Sequence, residues 1–190
     1  MTKLNKSRKD QKEWDEVLRR VVGHMRASDL QSAQVEIDAF LESHLTARVR
    51  SDALGFRALI KQEQGDLASA ERNLHEARSL VGPSYLKYVH ELGLAAIHKE
   101  RGQANAAASF YCDALRTCVA GKGISCGSAL TGLLEIKPEA LLGDEDKRLC
   151  LEAVKRAWSL LRLPGRADPW NLREAASSIK SAEARPRSSR

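Results

Sequence analysis

Aromatic residues are scarce: Phe, Trp and Tyr make up 5% of the 190 positions. Val, Ile and Thr seldom alternate with polar residues, while Ala, Leu, Glu, Arg and Lys run in long stretches, and that composition points away from sheets and toward an all-α protein. No run approaches the roughly 18 apolar residues that cross a bilayer. The opening MTKLNKSRKDQKEW likewise lacks an apolar core of signal-peptide length, so a cytoplasmic protein without a membrane span is expected.

Chemistry-bearing patterns are also thin. Cys112, Cys118, Cys126 and Cys150 form no CxxC pair and are read as buried, reduced thiols. His24, His44, His75, His90 and His98 lack metal-ligand spacing, and HELGL at His90 has no second His. Gly121-Lys122-Gly123 has neither a preceding strand nor the GxxxxGK[ST] spacing of a phosphate loop, and is read as a linker between helical hairpins. No Gly-x-Ser-x-Gly elbow occurs. Asp144 and Asp146 suit the positive end of a helix better than acid-base work. The expectation is a non-enzymatic chain with no catalytic residue, cofactor or metal.

The net charge of +6 is unevenly spread. Residues 1–12 hold five Lys/Arg against one acid, residues 164–190 six against three, and the body between them 20 against 21. The positive charge belongs to the ends, so nucleic-acid contact through those ends is the alternative to a protein partner.

What the chain does have is a repeat. Laying QGDLASAERNLHEAR over RGQANAAASFYCDALR pairs Gly65 with Gly102, Ala70 with Ala107, Leu74 with Tyr111 and Ala77 with Ala114, an offset of 37 residues. One more step back reaches Ser28, with Ala33 and Ile37 behind it. Ala58 and Ala95 precede the glycines at matching distances. Each unit therefore reads as a helix, a tight turn and a second helix, with small residues where the two backbones approach closely.

These residues resemble the tetratricopeptide repeat: a small residue in the first helix, a Gly-Asp-like turn, then Ala, a large residue and a second Ala. The first unit is degenerate, with Ser28 at the turn and Phe40 at the last Ala position. The resemblance covers about residues 13–120 and implies antiparallel helical hairpins stacked as a short right-handed solenoid. Three repeats would be followed by a divergent fourth hairpin at about 126–137 and 144–162, with Ala153 and Ala157 at its crossing. The organisation expected is a basic flexible arm (1–12), a helical repeat domain (13–163), a C-terminal capping helix (164–182) opened by Asp168-Pro169, and a disordered basic tail (183–190).

Such an array lines a concave groove with the first helix of each unit. The groove would comprise Leu18, Val22 and Arg26, then Gly55, Leu59 and Gln62, then Val89, Leu92, Ala96 and Lys99. The partner implied is another protein or peptide segment, bound by an adaptor, a secretion chaperone or a toxin-neutralising immunity protein. Family members that grip a chaperone's terminal carboxylate resemble one another in a set of Lys, Asn and Arg. Here the matching positions hold Leu18 or Arg19, Val22 or Gly23, Phe56, Val89 and Gly93, so that clamp is missing.

Overall fold

The computed structural model describes residues 3–121, 126–136 and 143–161, with side chains described over 7–121, 126–136 and 143–155. Among the described residues all regular structure is helical: α1 Lys3–Arg26, α2 Leu30–Leu41, α3 Ala47–Glu63, α4 Leu67–Ser79, α5 Tyr85–Glu100, α6 Ala104–Ala120, α7 Gly127–Ile136 and α8 Asp144–Leu161. The predicted capping helix, the basic tail and most of the Gly121-Lys122-Gly123 loop lie outside the described residues. The chain divides into two compact units, the first ending at Gly82 and the second starting at Pro83.

The 37-residue repeat is written in the backbone. Ser28, Gly65 and Gly102 carry φ of 60°, 77° and 71°, the left-handed region, and Ser28 is the one non-glycine there among the described residues. Each closes its helix in the same way. The amides of Gly65 and Asp66 donate to the carbonyls of Gln62 and Lys61, both at 2.9 Å, and the pairs Ser28/Asp29 and Gly102/Gln103 do the same to Met25/His24 and Lys99/His98. That is a Schellman closure, in which one left-handed residue satisfies two orphan carbonyls.

The next residue opens the following helix. Asp29 and Asp66 accept the amides of Ser32 and Ser69 at 3.0 Å. Hydrogen bonds from Ser32 and Ser69, side chain first, hold both carboxyls below their ordinary value. Gln103 occupies the third N-cap without such a bond, so one residue turns the chain and its neighbour restarts it three times over.

In the first unit α1 pairs with α2, and α3 with α4. Ala58 and Ala70 are buried, which lets α3 and α4 approach closely, and the buried Ser51 hydroxyl donates to the Ala77 carbonyl at 2.9 Å. The core is anchored by Trp14, 1% exposed, stacked on Phe40 at 5.4 Å and edge-on to Phe56 at 5.7 Å. The indole N–H donates to Asp52 Oδ2 at 2.7 Å, so the polar end of the ring is satisfied as well.

One expectation fails here. The segment read as a flexible basic arm is helical from Lys3 onward, and buried Asp10 accepts the Thr46 amide at 2.8 Å just before α3. Arg8, Lys9 and Lys12, which made the stretch look like a tail, lie on the solvated face of a helix whose other face carries Asp10, Trp14 and Val17.

The second unit is organised around α6. Ala95 and Ala107 are fully buried where α5 and α6 pack. Both α7 and α8 also dock on α6, and each touches α6 more than it touches the other. The expected fourth hairpin is thus two helices sharing a third: Ala153, expected with Ala157 at the crossing of that hairpin, is buried in the cluster built on α6, and the side chain of Ala157 lies outside the described residues. At the α6/α7 contact the Tyr111 ring covers Gly132 so closely that a Cβ there would overlap it.

The reading of four reduced thiols is also corrected. Cys118 and Cys126 form a disulfide with Cα atoms 5.7 Å apart, tying the end of α6 to the start of α7, while Cys112 and Cys150 are buried thiols outside any disulfide. A sequence separation of eight gave no motif to read. The sulfurs meet because Cys118 sits in the last turn of α6 and Cys126 directly precedes α7.

Candidate functional site

The ten groove residues fall into two groups. Leu18, Val22 and Arg26 lie on α1, and Gly55, Leu59 and Gln62 lie on α3, helices that pack side by side in the first unit. Val89, Leu92, Ala96 and Lys99 lie on α5 in the second unit.

On α1 and α3 the expected surface is only partly open. Leu18 packs against the Trp14 core and is half-buried, as are Val22, Gly55 and Gln62, whereas Arg26 is exposed and Leu59 keeps 47% of its surface. The Gln62 carbonyl is also committed to the Gly65 turn. Asp52 precedes Gly55 by one turn on the same face of α3, and Asp15 precedes Leu18 likewise on α1. Burial pushes the Asp52 carboxyl above its usual range; the Trp14 hydrogen bond and Arg48 oppose that shift, and Asp15 adds to it. This face thus has an apolar middle and a carboxylate at one end that sequence spacing alone did not single out.

On α5 the apolar stripe is more open and longer than expected. Val89 is 38% exposed and Tyr85, one turn earlier, is 65% exposed. Tyr85, Val89, Leu92 and Ala96 recur at i, i+4, i+7 and i+11, a single helical face. Tyr85 was absent from the predicted set although its spacing carried the signal; the Gly82-Pro83-Ser84 connection masked where the helix begins. Ser84 caps α5 by accepting the Lys87 amide at 3.3 Å.

Lys99 is engaged rather than open. Its ammonium donates to Glu135 Oε2 of α7 at 2.7 Å, and that hydrogen bond, with the Glu135 charge, raises the Lys99 pKa. Leu92 also packs against the second unit's core. The stripe on α5 is therefore framed by Tyr85 at one end and an ion pair at the other.

His98, read as a packing residue, stacks on Phe110 at 5.1 Å with rings 13° apart, and its Nδ1 lies 2.5 Å from Gln103 Oε1. His90 is 1% exposed inside α5, and burial pushes its pKa down to about 4. Among the described residues no three His, Cys, Asp or Glu side chains group to hold a metal, and no helix is long and apolar enough to cross a membrane.

Compared with protein-family models, with curated proteins and with solved structures, the chain matches none of them.

Proposed function

We propose that the chain is a non-enzymatic protein-interaction module of tetratricopeptide-like hairpins, taking an amphipathic segment of another polypeptide along the open face of α5 in its second unit. The observation that carries this reading is the α5 stripe. Tyr85 and Val89 leave large apolar surface in water on a helix whose opposite side buries Tyr88, Leu94, Ala95 and Ile97. A side chain such as Val gains about 1.5–3 kcal/mol on full burial, so a partner helix presenting apolar residues at matching i, i+3, i+4 and i+7 positions has a ready surface. Leu59 offers a smaller surface of the same kind on α3. The recurrence of one left-handed turn at Ser28, Gly65 and Gly102 supports the repeat reading on which the choice of face depends.

The test is affinity purification of the tagged protein at moderate salt after nuclease treatment, with wild type beside Val89→Arg and Leu59→Arg. Both positions are exposed, so an arginine there reaches water without unfolding the helix. Leu92→Arg is a poorer probe because Leu92 packs on the core. One stoichiometric protein, lost with Val89→Arg, is the expected result, and its identity separates adaptor, secretion chaperone and immunity roles. Recovery of nucleic acid alone, falling steeply with salt, would move function to the basic ends instead.

A further inference from the structure

All four cysteines of the chain lie between positions 112 and 150, and all four are members of one buried cluster in the second unit. Two of them, Cys118 and Cys126, already join α6 to α7. The other two sit on α6 and α8, which pack directly against each other. The Cys112 Sγ donates to Asp146 Oδ1 at 3.5 Å across that seam. Asp146 is one turn before Cys150 on α8, so the carboxylate and the second thiol share the face turned to α6. We infer that Cys112 and Cys150 are a thiol pair at the α6/α8 seam, which a disulfide-bearing oxidant converts to a second crosslink beside Cys118–Cys126.

The two thiols are not equivalent, and the difference orders the steps. Cys112 retains 6% of its surface and Cys150 none. Burial pushes the Cys150 thiol up to about 12, with the Cys112 sulfur and the Asp146 carboxylate adding to the push. Cys112 is therefore the attacking group. Its thiolate forms a bond to one sulfur of the oxidant's disulfide, and the oxidant's S–S bond breaks to release one thiolate. Cys150, deprotonated in turn, attacks the Cys112 sulfur and expels the oxidant's second half as a thiolate. Both cysteine protons end on the two released thiolates, and the two electrons lost by the cysteines reduce the oxidant to two thiols.

The Asp146 carboxylate accepts from the Cys112 thiol and adds to the push on the Cys150 thiol, so it favours the reduced pair until the surroundings are oxidising. The completed state would clasp α6 to both of its neighbours. Disulfides of this kind persist in oxidising compartments and open in a glutathione-reduced cytosol, which makes the second unit responsive to where the chain resides.

The experiment uses the full chain incubated with oxidised glutathione under native conditions, followed by thiol titration in denaturant and non-reducing peptide mapping. Wild type should lose both remaining thiols, give a Cys112–Cys150 peptide pair, and rise in Tm by about 5 °C or more. Cys150→Ser should stop at the first step, with glutathione attached to Cys112. Asp146→Asn should crosslink about threefold faster or more, its neighbouring negative charge gone. Two thiols that stay titratable in oxidised wild type would overturn the inference, as would pairing of Cys112 with Cys118 or Cys126. No glutathione on Cys112 in Cys150→Ser, or no acceleration in Asp146→Asn, would equally overturn it.

Discussion

Ser28, Gly65 and Gly102 do one backbone job with two kinds of residue, and exchanging them isolates the energy of that job. A residue with a Cβ in the left-handed region costs roughly 1–2 kcal/mol. Glycine escapes that cost but gives the unfolded chain about 0.4–1 kcal/mol more entropy to lose. Ser28→Gly should therefore stabilise the first unit by about 0.5–1 kcal/mol, and Gly65→Ala should destabilise it by a similar amount. A Cβ at Gly65 or Gly102 meets nothing within 4 Å, so no steric clash contaminates the comparison. Ser28→Ala, which keeps the Cβ, is the control and should move stability by only a few tenths of a kcal/mol. Urea unfolding followed by circular dichroism reads all of these, and buried Trp14 gives a fluorescence signal from the first unit. If Ser28→Gly destabilises the protein, or Gly65→Ala leaves it unchanged, the left-handed residue is not what closes these helices and the backbone basis of the repeat falls.

Gly132→Ala should gain about 1 kcal/mol of helix propensity yet lose more through overlap with the Tyr111 ring, for a net loss of about 1–2 kcal/mol in urea unfolding. Tyr111→Leu, which installs the residue found at the equivalent Leu74, should recover much of that loss in the Gly132→Ala background; a strictly additive double mutant would refute the contact. The His90 pKa is depressed from 6.5 to about 4 in the folded chain. Its stabilising contribution is thus complete above pH 6.5 and is lost as pH falls toward 4, by up to about 3 kcal/mol. Unfolding midpoints measured through that window should drop in wild type and drop less in His90→Gln, and identical profiles would show that His90 is not the group responsible.

The repeat was legible because its marks are local. Glycine before Asp or Gln, and alanine at a fixed distance after it, follow from one backbone conformation and one close crossing, and a 37-residue step located even Ser28, where the glycine itself is missing. On the first helices, 3.6-residue periodicity placed Leu59 and Val89 on exposed positions, whereas Leu18, Val22 and Gln62 are half-buried and Tyr85 went unread. What escaped depends on partners distant in sequence. Asp10 and Trp14 make their bonds to Thr46 and Asp52, more than thirty residues away, so a run of lysines hid the start of a helix. Lys99 read as open because Glu135 belongs to a helix outside the repeat pattern. The docking of α8 on α6 was likewise invisible to a hairpin rule that pairs each helix with the one before it.

The core of the first unit, from Trp14 to Ala77, draws every buried member from residues that precede Pro83. Chains are made from the N-terminus at about 5–20 residues per second, so this core has all its parts before the second unit is made. Its pairings join helices adjacent in sequence or one apart, the low-contact-order arrangement that closes fast. The unit can therefore bury Trp14 during synthesis, before the four cysteines of the second have all been made, and the nascent chain meets its redox surroundings with its first unit already folded.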